Sequence, residues 1–183
     1  MKNWYLLVLM IIAGFLSKLS AQDLYRTHHG DIAISITEHD SIHLLVSNQL
    51  NVTLDYETSK VSFRVDLETL RSQIDSIDKK IRLMKGLAIE FTGKLGITVN
   101  TKNYSPQRYN MEGLLTSTTP AVTLHGKGSM TCIPAGDNIT PSCTLLISLD
   151  SDLSTLLLKD LFPNAEEGAR IDIRQSLLQK EDE

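Results

Sequence analysis

Apolar residues fall on every second position through long stretches of this chain. Between Lys85 and Cys132 they are Leu87, Ile89, Phe91, Leu95, Ile97 and Val99, then Tyr109 and Met111, then Val122 and Leu124. A period of two puts these side chains on one face of a sheet and Glu90, Thr92, Lys94 and Thr98 on the other. Upstream the same alternation runs through Ile32, Ile34 and Ile36, through Ile42, Leu44 and Val46, and through Leu50, Val52, Leu54 and Tyr56. Val61, Phe63, Val65 and Leu67 follow a polar turn at Glu57 to Lys60, and Cys143, Leu145, Ile147 and Leu149 come later, with Ile171 and Ile173 closing the series. This spacing and turn chemistry predict an antiparallel arrangement of about nine strands. No strand reads as a continuous apolar run. A closed or nearly closed antiparallel β-barrel buries one face of each strand and removes the exposed edges.

One stretch changes period. Leu67, Leu70, Ile74, Ile77, Ile81 and Met84 step by three and four, predicting one main helix from about Glu68 to Lys85 in a crossover between strands. Asp75 with Lys79 and Asp78 with Arg82 are favourably ordered four-residue pairs. Basic residues gather in the last turn, and Gly86 suits a left-handed cap. The stripe is expected to pack on the sheet. The mixed signs on the polar face and its lack of Trp or Phe argue against a helix lying on a membrane. Leu153, Leu156, Leu157 and Leu161 also have helical spacing, over a short segment broken at Phe162-Pro163-Asn164. Leu87 to Val99 is long for a single strand, so a kink is expected near Gly93 or Gly96.

The first 21 residues read as a signal peptide rather than as part of the fold. Lys2 supplies a positive end, Trp4 to Leu16 an apolar run, and Leu19-Ser20-Ala21 a cleavage site, making Gln22 the new start. The run is short of the roughly 20 residues that a spanning helix needs. The expected product, residues 22–183, is one domain, periplasmic or secreted, with no integral membrane span. Cleavage removes Lys2 and Lys18 and no acid, moving the formal net charge from −4 to −6. An acidic balance of this kind predicts a surface that repels nucleic acid and anionic membranes.

Cys132 and Cys143 are the only cysteines and flank a turn-forming insert, Ile133 to Ser142. They stand at the base of a hairpin, where a cross-strand bond is possible, and export favours its oxidation, so a disulfide is predicted. His28, His29, His39 and His43 lie close in sequence, yet adjacent histidines in an extended chain point opposite ways, so solvated loop histidines rather than a metal site are expected. No strand–nucleophile–helix elbow is present. Glu90 and Glu112 mimic an acid/base pair, but their apolar neighbours claim the inner face and turn both carboxylates to solvent. No cofactor and no catalytic residue are assigned, and the chain is not read as an enzyme.

The order of parts resembles the YceI-like family of exported bacterial proteins. The resemblance rests on Ile89-Glu90-Phe91-Thr92-Gly93, on Met111-Glu112-Gly113-Leu114-Leu115, on Val122-Thr123-Leu124-His125-Gly126-Lys127-Gly128, and on the terminal Ile171-Asp172-Ile173. It implies a single lipocalin-like antiparallel barrel and, as partner, a polyisoprenoid or another amphiphilic lipid in its pore. The ligand-binding candidates are then Leu87, Ile89, Phe91, Met111, Val122 and Leu124. With only 5% aromatic residues, the composition favours aliphatic tails over ring-stacking ligands. The alternative is an envelope scaffold or protein-interaction module whose barrel is filled by its own side chains. Alternation alone fits both.

Overall fold

The computed structural model describes residues 24–117, 119–133 and 142–180, so the predicted signal peptide and its cleavage site lie outside the described residues. Among these described residues eight strands follow one another in chain order: β1 (Leu24–Glu38), β2 (Ser41–Asp55), β3 (Lys60–Asp66), β4 (Ala88–Leu95), β5 (Gln107–Leu115), β6 (Val122–Ile133), β7 (Ser142–Asp152) and β8 (Ala165–Lys180). Each pairs antiparallel with the next, and β8 returns to pair with β1, closing the barrel. Each of these strands therefore has a hydrogen-bonded neighbour on both sides, the arrangement by which barrels blunt exposed edges.

Eight strands replace the expected nine because the alternations at Ile42 to Val46 and Leu50 to Tyr56 belong to one strand. In β2, Leu45 and Ser47 point inward, and so do Leu50, Val52 and Leu54. Asn48 and Gln49 are both exposed between them, so the inward parity changes there from odd to even. The Gln49 N–H donates to Ser47 Oγ across this irregularity at 3.1 Å. As a consequence Ile42, Leu44 and Val46, read from the sequence as core, lie on the outer face. An extra residue in a strand flips every side chain beyond it.

The predicted long helix is also corrected. Within that predicted span only Asp75–Ile81, here α1, is α-helical, preceded by a 3-10 turn at Leu67–Thr69. Between the two, Arg71 leaves the helical path and pairs with Val46 through two backbone hydrogen bonds of 2.9 Å. Arg71 thereby continues the hydrogen-bonding edge of β2 beyond the end of β3. Gln73 takes a left-handed φ of 65°, which re-aims the chain into α1. Leu70 and Ile81 are buried, but Ile74, on the same predicted stripe, is exposed. Gly86 adopts φ 77°, the left-handed conformation expected for it, four residues after the last turn of α1 has begun to unwind at Arg82.

In an up-and-down barrel the connections alternate between ends. The β1–β2, β3–β4, β5–β6 and β7–β8 connections share one end. That end is covered: Leu67, Leu70 and Ile81 from the β3–β4 crossover are buried, as are Leu153, Leu156, Leu158, Leu161 and Phe162 from the β7–β8 connection. The latter segment forms turns rather than a helix, with Leu157 at φ 63°. β4 ends at Leu95, and the Gly96 N–H donates to the Asn110 carbonyl at 2.7 Å, so Ile97 and Val99 lie beyond the strand. Cys132 and Cys143 are register partners on β6 and β7 and form the predicted disulfide, their Cα atoms 4.0 Å apart.

Candidate functional site

The interior is built from rows of residues that face one another across successive strands. One row runs Val52, Phe63, Phe91, Leu115, Val122; the next runs Val61, Gly93, Gly113, Leu124. A third runs Leu95, Met111, Gly126, Leu149, Ile171, Ile34, Leu45, and a fourth Tyr109, Gly128, Ile147, Ile173, Ile32, Ser47. Ile89 faces Val65 on β3. Aliphatic and aromatic side chains dominate all of these rows, and they form one contiguous core.

Of the six candidate lining residues, Ile89, Phe91, Met111 and Leu124 are buried on the inner wall, and Val122 is half-buried at the end of the first row. Leu87 is not on that wall. It is 43% exposed, precedes the start of β4, and its carbonyl accepts the Leu67 N–H at 2.9 Å, at the base of the crossover. The strand begins only at Ala88, after the left-handed turn at Gly86, so the parity that carries Ile89 inward does not extend back to Leu87.

The rows also contain four inward glycines that the reading of apolar positions passed over. Gly93 and Gly113 face one another, and a Cβ on Gly113 would stand 2.4 Å from the Phe91 ring. A Cβ on Gly128 would stand 2.6 Å from Tyr109 Oη, and one on Gly126 would stand 2.3 Å from a Leu149 methyl. Glycine at these positions lets the neighbouring strand's side chain lie along the wall instead of standing toward the axis. Phe91 lies over Gly93 and Gly113 and stacks on Phe63 with ring centroids 4.9 Å apart. Tyr109 crosses β6 over Gly128, and its hydroxyl donates to the Leu146 carbonyl on β7 at 2.7 Å. Burial pushes the Tyr109 hydroxyl well above its ordinary pKa of 10.0, so it acts as a neutral donor. The signal was present in the sequence: each glycine has the parity of the apolar residues around it.

The two carboxylates weighed as an acid/base pair lie on the outer face. The Arg64 guanidinium bridges Glu90 and Asp66, and Glu112 is exposed opposite Lys94. The Glu90 and Glu112 carboxylates thus both face solvent. His43 is not a freely solvated histidine: it sits 3.3 Å from the Glu38 carboxylate and packs on the Phe162 ring at 5.4 Å. Among the described residues no group of three His, Cys, Asp or Glu side chains is placed to hold a metal ion, and no helix is long and apolar enough to cross a membrane.

In comparisons with protein-family models and with curated protein sequences, nothing matches this chain. Among solved structures, the fold is similar to that of a polyisoprenoid-binding domain from Saccharophagus degradans, implicated in plant cell wall breakdown. The TM-score is 0.64 and the identity 8%, over 87% of this chain and 99% of that one. At that identity the likeness establishes a shared fold alone, a closed antiparallel barrel.

Proposed function

We propose that this chain is an exported, non-enzymatic carrier that holds an amphiphilic lipid, an isoprenoid or acyl chain, inside its barrel. The observation that carries this reading is the interior itself. A closed wall presents apolar rows, and inward glycines let Phe91 and Tyr109 lie along it. Such a wall suits a flexible hydrocarbon chain, which gains roughly 0.8 kcal/mol per buried methylene and needs no charged anchor. Ile89, Phe91, Met111, Val122 and Leu124 are the side chains proposed to contact it. The fold shared with a polyisoprenoid-binding domain supports the same reading, as does the YceI-like order of strand and glycine motifs. The Cys132–Cys143 bond is in keeping with an oxidising, periplasmic or extracellular compartment.

A second reading, an envelope scaffold or protein-interaction module with a fully packed barrel, is favoured by one observation. Ile89, Phe91 and Leu115 are at most 1% exposed, which describes a core already filled by its own side chains. Organic extraction of the natively exported protein followed by mass spectrometry separates the two. A co-purifying isoprenoid or acyl lipid is expected at close to one per chain, and its absence from extracts of folded protein gives the scaffold reading precedence.

A further inference from the structure

The net charge of the chain is negative, yet the structure sorts its charges by place. At the start of α1, the Asp78 carboxylate turns back to accept two hydrogen bonds from Ser72, each 2.7 Å. Beyond it Lys79, Lys80, Arg82 and Lys85 are all exposed. Set among these cations, Leu83 is 83% exposed, more than any other large apolar residue described, and Leu87 is 43% exposed. Leu83, Met84 and Leu87 share a cleft of about 660 Å³ with Leu157 and Leu161 of the β7–β8 connection. Lys80 and Lys159 stand on its rim, with Asp160 as the acid there.

An apolar tip with Lys80 and Lys159 on its cleft, and with exposed Arg82 and Lys85 beside it in the chain, matches a surface that is negative at its face and apolar beneath. Cations near an anionic bilayer each gain from the surface potential, and a leucine beside them gains by leaving water for the acyl boundary. A nucleic acid or an acidic protein surface answers the cations but leaves Leu83 in water. We infer that the turn from Arg82 to Leu87, with Lys159 beside it, docks the covered end of the barrel onto an anionic phospholipid bilayer. The charge and exposure of this turn do not depend on what the interior holds, so lipid extraction and membrane docking succeed or fail separately.

The test is flotation of the exported protein, its N-terminus verified by mass spectrometry, with vesicles of phosphatidylcholine alone or mixed with phosphatidylglycerol. The protein should float with the mixed vesicles, far less with phosphatidylcholine alone, and less again as salt is raised and screening shortens. Leu83→Ser should weaken binding roughly tenfold or more. Lys80→Glu combined with Arg82→Glu should weaken it by at least about fivefold per charge changed. All three side chains are exposed, so thermal unfolding should stay close to that of the unaltered protein. No flotation with the mixed vesicles, equal flotation with both kinds, or variants that float like the unaltered protein would each overturn the inference.

Discussion

Asp55 and Asp78 show how single side chains hold the turns of this barrel. Burial pushes the Asp55 carboxyl upward, but hydrogen bonds from the Thr58 hydroxyl and from the Thr58 and Glu57 N–H groups outweigh it, and Lys60 adds to them. Its pKa therefore falls below the ordinary 3.8. Asp78 falls below 3.8 chiefly through the Ser72 backbone N–H and hydroxyl. A depressed folded-state pKa means that the stabilisation is fully present above the unfolded value and is lost as pH falls through the folded one. Denaturant midpoints should thus decline below about pH 4, and Asp55→Asn or Asp78→Asn should flatten that decline while costing about 1 kcal/mol at neutral pH. Gly128 gives a second, steric prediction. Alanine there would put a Cβ 2.0 Å from the Leu146 carbonyl and 2.6 Å from Tyr109 Oη. Gly128→Ala should cost roughly 1–3 kcal/mol, read as a lowered midpoint with Tyr109 displaced from Leu146.

At the scale of elements, the crossover decides what α1 contributes. A 7-residue helix is too short to stand by its own hydrogen bonds, so it is held by tertiary contacts. Ile81 is fully buried against the core, whereas Asp75 is exposed at the first turn. Ile81→Asp should then cost several kcal/mol, because an unpaired charge would be buried, and Asp75→Ala no more than about 0.5 kcal/mol. Equal and negligible shifts in thermal midpoint for the two variants would mean that the helix does not dock. The strand elements follow a different logic. β2 switches its inward parity at the Asn48–Gln49 irregularity, so Leu50, Val52 and Leu54 face inward beyond it while only Leu45 among the apolar residues before it does, and Ile42, Leu44 and Val46 are left on the outer surface.

At the scale of the whole molecule, closure between β1 and β8 turns eight half-buried strands into one enclosed interior. Under the carrier reading, a bulky residue added to a row should compete with lipid for that interior. Met111→Trp and Leu124→Trp should sharply lower the lipid recovered by extraction, while Glu90→Gln and Lys94→Gln, on the outer wall, should leave it unchanged. Loss of lipid from the outer variants and retention by the inner ones would place the ligand elsewhere. Folding of all four is checked by their melting transitions.

The sequence by itself determined the class of fold and most of the inner wall. Alternation is a local property of the pleated chain, so Ile32, Phe63, Phe91, Met111 and Leu145 declare their face without knowledge of any neighbour. The cysteine pair was legible for the same reason, since a hairpin sets its partners across a short turn. What only the tertiary structure decided depends on distant segments. Leu70 and Ile74 share a helical period, but pairing of Arg71 with Val46 draws the chain out of the helix, because a backbone edge on β2 is available there. Ile42, Leu44 and Val46 alternate as cleanly as true core positions, and only the register of β2 against β1 places Leu45 opposite Ile34 and turns them outward. The inward glycines share the parity of the apolar residues around them, but that Phe91, Tyr109 and Leu149 are the side chains lying over them appears only in the structure. Net charge, likewise, is a sum along the chain. The fold turns Asp78 toward Ser72 and leaves Lys79, Lys80, Arg82 and Lys85 around Leu83, because hydrogen bonding and burial, not composition, decide which charges meet solvent together.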